Sequence, residues 1–300
     1  MPLLKAEAEK LSNNDLQAGI IEEIIELDDM FALMPFSRTD GKAYVYNREA
    51  TISEASFLDP NDVIPEGAAT FDEITTHLRI IAGDVDVDKF LLETMSDTSD
   101  QRSIQIAQKA KGLGNKFKRT VIQGDNTADA KSFDGLDKLV ADTGNEIIAG
   151  ANGAALSLDM LDELADAVPY RPDAFIMRRG TLRALKTLWR AAGGNTGGLL
   201  QIDNYGMMPA HDGTPIVIND YILGDVDQGT ETDSCSIFAV RFNEADGVHG
   251  LYGGDAAGVR IEDIGTVQNK DAYRYRVKWY AGMALKSTQS AAALRGITNV

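Results

Sequence analysis

The sequence predicts an α+β protein, and three observations carry that reading. Helical and strand patterns follow one another without the strict alternation of a βαβ chain. Residues 94–124 hold one narrow apolar stripe at helical spacing over an unusual length. Residues 273–280 alternate aromatic or apolar with basic side chains, the period-two signature of a sheet with one polar face.

Taken in order, residues 1–14 are polar and read as an arm. Asn13 or Asn14 caps a helix predicted to run to about Leu33, with Leu16, Ile20, Ile24, Leu27 and Phe31 near helical spacing and Glu22, Glu23, Glu26 and Asp28 on other faces. That stripe serves either its own core or a neighbouring molecule. Lys42–Arg48 reads as a strand and Ile74–Val87 as a second, longer one. The 25-residue segment between them holds Pro60 and Pro65 and no convincing element. The pair reads as an extended hairpin, which needs a partner surface to be stable.

The stretch 94–124 follows, with Ser96, Asp97, Thr98 and Ser99 as candidate caps and Gly124 suited to a left-handed residue past the end. Ile106, Ala110, Leu113, Phe117 and Val121 form its stripe, and Lys109, Lys111, Lys116, Lys118 and Arg119 take other faces. About 26 helical residues would span about 39 Å. Gly112 and Gly114 each cost such a helix about 1 kcal/mol, which points to a bend or a close approach.

A mixed lobe runs from about Phe133 to Gly254. Ser157–Val168 is a capped amphipathic helix stopped by Pro169, and Ala174–Met177 a short buried strand. Thr181–Ala192 is a helix with Leu182, Leu185, Leu188 and Trp189 inward and Arg183, Lys186 and Arg190 outward. Gly193–Gly198 reads as a loop, and Pro215–Asn219 and Cys235–Phe242 as central strands. Val259–Ile264 and Tyr273–Tyr280 return to sheet.

The 300 residues carry 46 acidic and 29 basic side chains, a net charge of -17. That balance argues against general nucleic-acid binding, which needs a positive contact surface. Yet Gln101–Thr120 holds six basic residues and no acidic one. Cys235 is the only cysteine, so neither an internal disulfide nor an all-thiolate metal site is available. No apolar run approaches the roughly 20 residues of a membrane span, and the first residues lack the pattern of a secretory signal.

Catalytic signatures are missing too. The sequence holds no G-x-x-x-x-G-K-[ST], H-E-x-x-H or G-x-S-x-G, and His77, His211 and His249 sit in unrelated contexts. Asp84, Asp86 and Asp88 open like a calcium loop, but Lys89 and Met95 replace the required Gly and Glu, so the segment reads as a solvated strand face. Gly193–Gly198 lacks the Lys of a phosphate cradle. The alternation at 273–280 reads as an amphipathic strand before a nucleic-acid platform. No catalytic residue, cofactor or metal is expected.

The order of elements resembles the major capsid proteins of tailed bacteriophages, the HK97-like fold. The residues that carry the likeness are LLETMSDTSDQRSIQIAQKAKGLGNKFKRTVIQGD at 91–125, which looks like the spine helix and its exit, FDGLDKLV at 133–140, PDAFIMRRGTLRALKTL at 172–188, HDGTPIVIND at 211–220 and YRYRVKWYAGMAL at 273–285. The likeness spans essentially the whole chain and rests on the order and spacing of these segments.

It implies an N-terminal arm over 1–40, an extended hairpin (E-loop) over 41–87, a peripheral domain over 88–131 and 255–300, and an axial domain over 132–254. It also implies self-assembly into hexamers and pentamers of an icosahedral head enclosing double-stranded DNA without sequence-specific binding. A portal, a decoration protein and a scaffold supplied by a separate chain are the expected partners, with no membrane. Assembly in the bacterial host cytoplasm and residence in the virion follow. Intersubunit contacts are expected at Lys109, Lys111, Lys116, Lys118, Arg119, Lys42, Arg48, Leu16, Ile20 and Ile24. Lys42 lies at the hairpin's base, so the lysine crosslinks of some relatives are not expected. The alternative is an encapsulin, a shell of the same fold that encloses cargo enzymes.

Overall fold

A computed structural model describes residues 33–51, 70–90, 101–193, 197–202, 206–254 and 258–298, together with Met30 and single positions between 55 and 68. Strands β1 (Phe36–Thr39), β4 (Arg79–Asp88), β12 (Val248–Gly253), β13 (Arg260–Thr266) and β14 (Ala272–Leu285) form one sheet, in the order β1-β12-β14-β13 with β4 also paired to β14. Strands β2 (Ala43–Thr51) and β3 (Thr70–His77) pair only with each other. A mixed sheet runs β5-β15-β11-β6-β9-β8-β7, with β10 (Val226–Gln228) on β11. Its members are β5 (Glu146–Ile148), β6 (Ala174–Met177), β7 (Gly197–Ile202), β8 (Gly206–His211), β9 (Thr214–Ile218), β11 (Glu231–Val240) and β15 (Ala291–Ile297).

Helix α1 (Gln101–Gln123) has 23 residues and so spans about 35 Å. The predicted stripe Ile106, Ala110, Leu113, Phe117 and Val121 is entirely buried. It packs on Val85 and Val87 of β4 and on Tyr275, Val277 and Trp279 of β14, all in one core cluster. The Phe117 and Trp279 rings meet with centroids 4.5 Å apart. The candidate caps at 96–99 lie outside the described residues.

Gly124 ends α1 for a reason other than the one expected. It is not among the residues of positive φ. A Cβ there would sit 2.2 Å from the Phe133 carbonyl oxygen, so the glycine permits a backbone crossing that Gly135 N–H closes by donating to Gly124 O at 2.8 Å.

The central strands of the mixed sheet are buried on both faces. One face joins the α1 core through Ala174, Ile176, Val217, Phe238 and Ala293. The other packs under α3 (Leu158–Asp166) and α4 (Arg179–Ala191) through Phe175, Met177, Ile216 and Ile237. Ser157 caps α3 as predicted, accepting from Met160 N–H at 3.2 Å. Helix α2 (Leu136–Thr143) ends at left-handed Gly144 and bridges α1 to β15.

Two segments depart from the sequence reading. The strand predicted over 74–87 is two strands, broken at Leu78: β3 stays in the hairpin, while β4 pairs with β14 over its whole length. The break lets Leu78 turn into a small core with Tyr46, Leu251 and Ala284. The tail at 255–300 also divides. β13 and β14 lie in the five-stranded sheet, whereas β15 lies between β5 and β11 in the mixed one. Its AAALRGI sequence is mostly apolar and buried almost throughout, which suits a central strand. Conversely β12, within 132–254, belongs to the five-stranded sheet.

Candidate interaction surfaces

The hairpin root is tied to the sheet by three hydrogen bonds. Tyr46 Oη donates to Leu285 O at 2.7 Å, and Arg48 donates to Leu285 O at 2.6 Å and Lys286 O at 2.9 Å. Burial pushes the Tyr46 phenol up, so it remains a donor at any ordinary pH. Arg48, one of the expected contact residues, caps the end of β14 in its own chain with its guanidinium. Beneath the root lies His249, fully buried, with its ring edge-on to Tyr44 at 5.7 Å. Its Nε2 has no hydrogen-bond partner among the described residues, and burial holds its pKa below the usual value, so the ring is neutral.

Beyond the root the hairpin exposes apolar side chains. Val45 and Phe71 on its strands and Phe57 and Val63 towards its tip face solvent. Lys42, also exposed, lines a cleft of about 490 Å³ with Arg38, Asp40, Ile80 and Tyr280. At the far edge of the mixed sheet, the β7–β8 hairpin exposes Leu199 and Met207. Residues 194–196 of the predicted loop lie outside the described residues, and β7 already starts at Gly197. Leu16, Ile20 and Ile24 also lie outside them.

Of the α1 cations, Lys109, Lys111, Lys116 and Arg119 are exposed and Lys118 is half-buried. Lys109 lays its stem across Gly83 of β4, where a Cβ would come within 2.1 Å of Cε. Arg119 Nε donates to Gln123 Oε1 at 3.1 Å. Among the described residues no carboxylate pairs with Lys109, Lys111, Lys116 or Arg119.

The opposite, outer face of the five-stranded sheet is built differently. Register places Arg274 beside Asp86 and Arg276 beside Asp84. Both pairs are bidentate: Arg274 to Asp86 at 2.7 and 2.8 Å, Arg276 to Asp84 at 2.7 and 2.9 Å. Lys278 pairs with Glu262 on β13. The hydrogen bonds from Arg276 and Arg274 hold the Asp84 and Asp86 carboxyls below their usual range. Sequence reading placed Asp84 and Asp86 on a solvated face but missed their partners. The signal was a D-x-D spacing matched by an R-x-R spacing in another strand.

Among the described residues the three histidines stand in separate places. His77 is exposed at the end of β3, His249 is buried under the hairpin, and His211 is bonded to Asp162 at 2.9 Å and stacked on Trp189. Among the described residues no three His, Cys, Asp or Glu side chains are grouped to hold a metal ion, and no helix is long and apolar enough to cross a membrane. Burial pushes the Cys235 thiol up.

No protein-family model and no curated protein matches the sequence. Solved structures do match the fold. The encapsulin of Synechococcus elongatus, solved as a holo complex, superposes with a TM-score of 0.72 at 18% identity, covering 90% of this chain and 88% of that one. The capsid of the native GTA particle gives 0.63 at 13% identity, with 89% of both chains covered. A chain of Mycobacterium phage Bobi gives 0.61 at 15% identity, with 88% of both covered. The protein therefore has the HK97-like fold that the order of its elements anticipated.

Proposed function

We propose that this chain is the major capsid protein of a tailed double-stranded DNA bacteriophage. It assembles through itself into the hexamers and pentamers of an icosahedral head, and its site of residence is the virion. The observation that carries this reading is the end-to-end likeness to shell subunits, 88–90% of this chain against the three described above. Physical support comes from exposed apolar side chains on two separate hairpins, Val45 and Phe71 on β2–β3 and Leu199 and Met207 on β7–β8. A neighbour covers such surfaces in an assembly.

In this reading the five-stranded sheet with α1 is the peripheral part, the mixed sheet with α3 and α4 the axial part, and β2–β3 the arm laid on a neighbour. Exposed cations of α1 and Lys42 face other subunits, and Arg48, which also holds the hairpin root, lies at the same contact. The genome is enclosed without sequence readout, and a net charge of -17 keeps the wall from gripping it. A separate scaffold, a portal and a decoration protein complete the head, which forms in the host cytoplasm. None of its surfaces performs catalysis.

A second reading, the encapsulin shell, is favoured by the TM-score of 0.72 against the Synechococcus elongatus structure. The contents of purified particles separate the two. Nuclease-protected double-stranded DNA of uniform length supports the phage head. A folded cargo enzyme in place of DNA overturns it and establishes the encapsulin.

A further inference from the structure

A cleft of about 450 Å³ opens where three segments distant in sequence meet. The end of α1 supplies Arg119 and Gln123, the residue before α4 supplies Arg178, and the connection from β9 to β10 supplies residues 220–225. That volume lies in the range of small-molecule sites. The shell reading makes no use of it.

Arg178 is half-buried, yet among the described residues no carboxylate or carbonyl accepts from its guanidinium. A guanidinium so placed gives up hydration without gaining a partner, and it cannot shed its charge. Its seat is shaped for it. Gly224 is not among the residues of positive φ, so the glycine answers no demand of the backbone. A Cβ there would come within 1.6 Å of Arg178 Nη1. The bare backbone at 224 lets the guanidinium lie against the loop, inside the cleft.

The same cleft holds a second guanidinium. Arg119 Nε donates to Gln123 Oε1 at 3.1 Å, and Gln123 donates its own amide to Tyr221 O. These bonds fix Arg119 by its inner nitrogen and leave its two terminal nitrogens unbonded among the described residues. The acids nearby do not satisfy the pair. Asp220 is taken by Arg179, which donates its backbone N–H to Oδ1 at 3.2 Å and brings Nε within 3.6 Å of Oδ2. Asp225 is exposed and has no ion pair among the described residues.

Two unpaired guanidiniums lining one cavity suit a tetrahedral oxyanion. Each planar fork offers parallel N–H donors to two oxygens. A carboxylate fills one fork, whereas a phosphoryl group has oxygens for both. Tyr221 and the exposed Leu223 line the same cleft and offer apolar surface to whatever body carries the group.

We infer that this cleft binds a phosphoryl group, gripped by Arg178 and Arg119, with Gly224 as the seat that positions Arg178. The site stands independently of the shell reading and goes beyond it. Once occupied, it would tie the end of α1, which packs on the five-stranded sheet, to α4 and the β9–β10 connection of the mixed sheet. The group has two sources, a free phosphate or phosphate ester and the backbone of DNA.

Calorimetric titration of the purified full-length protein with inorganic phosphate, in a buffer free of phosphate and sulfate, tests the site. Saturable binding at one site per chain is the expected result. Arg178→Gln should weaken it at least about tenfold, the loss of a charge-assisted pair of hydrogen bonds. Arg178→Lys, which keeps the charge and loses the fork, should fall between that variant and wild type. Gly224→Ala keeps both charges, fills the seat and should also weaken binding. Lys131→Gln removes an exposed cation outside the cleft and should stay within about twofold of wild type. Phosphate should slow hydrogen exchange of the amides of 220–225 in wild type and not in Arg178→Gln. Thermal unfolding without phosphate keeps a loss of fold from being read as a loss of binding. No saturable binding, full binding by Arg178→Gln, or an equal loss in Lys131→Gln overturns the site; unchanged binding by Gly224→Ala overturns the seat. A short DNA duplex that displaces the phosphate assigns the group to DNA, and one that does not assigns it to a free phosphate species.

Discussion

Two rows of cations lie on opposite sides of one core, and they have opposite fates. Arg274, Arg276 and Lys278 on β14 each meet a carboxylate on an adjacent strand. Lys109, Lys111 and Lys116 on α1 meet none among the described residues. The sheet row is satisfied because β-register puts opposite charges side by side at the spacing of the pleat. The helix row has no such partner among the described residues, and the proposed reading gives it to another subunit. Charge by itself therefore does not single out a surface in this protein; the two rows differ in whether the chain pairs them internally.

The contrast can be broken most severely at the core between the rows. Phe117→Ala removes the ring that packs on Trp279 and Phe36 and should destabilise the subunit by about 3–5 kcal/mol. Urea unfolding of dissociated subunits reads it, and a much smaller loss would mean that α1 is not anchored as described.

Reversing the helix row should come next in effect but in a different currency. Lys109→Glu/Lys116→Glu is expected to abolish most assembly while leaving the thermal midpoint of the free subunit within about 2 °C of wild type. A collapse of the midpoint would show that these cations hold the subunit together instead.

The hairpin root gives a pH dependence. Burial lowers the His249 pKa, so the unfolded chain binds its proton more readily than the folded one. Stability should accordingly fall as pH drops below about 6.5 and level off below the folded pKa. In His249→Phe that loss should flatten, as followed by hydrogen exchange of the hairpin amides. An unchanged pH profile would remove His249 from the account.

The smallest effect belongs to the sheet row. Arg276→Ala should lower the thermal midpoint by less than about a fifth of the Phe117→Ala shift, because exposed pairs contribute little and are screened by salt. Particle yield should not change. The Asp84 and Asp86 pKa values are depressed, so this ladder stabilises above their unfolded values near pH 4 and is lost as pH falls through the folded ones. A defect in assembly from Arg276→Ala would erase the distinction between the two rows.

Much of the fold was legible because local periodicity and tertiary burial agree. The stripe from Ile106 to Val121, the capped helix after Ser157 and the buried strand Ala174–Met177 all depend on spacing within one segment. What sequence could not place were pairings between distant segments. The break at Leu78 exists because β3 and β4 serve different sheets, a fact of topology without a Pro or Gly to announce it. β15 reads as a tail until β5 and β11 enclose it. Arg48 gave no sequence signal of its internal partners: a cation on a hairpin strand, it bonds carbonyls more than two hundred residues away.

The central claim is that this subunit closes into a shell, and electron microscopy of the purified full-length protein tests it most directly. Closed polyhedral particles, or rings of six on the way to them, are the predicted result. A uniform small oligomer under every condition, with Val45, Phe71, Leu199 and Met207 still open to solvent, would contradict it.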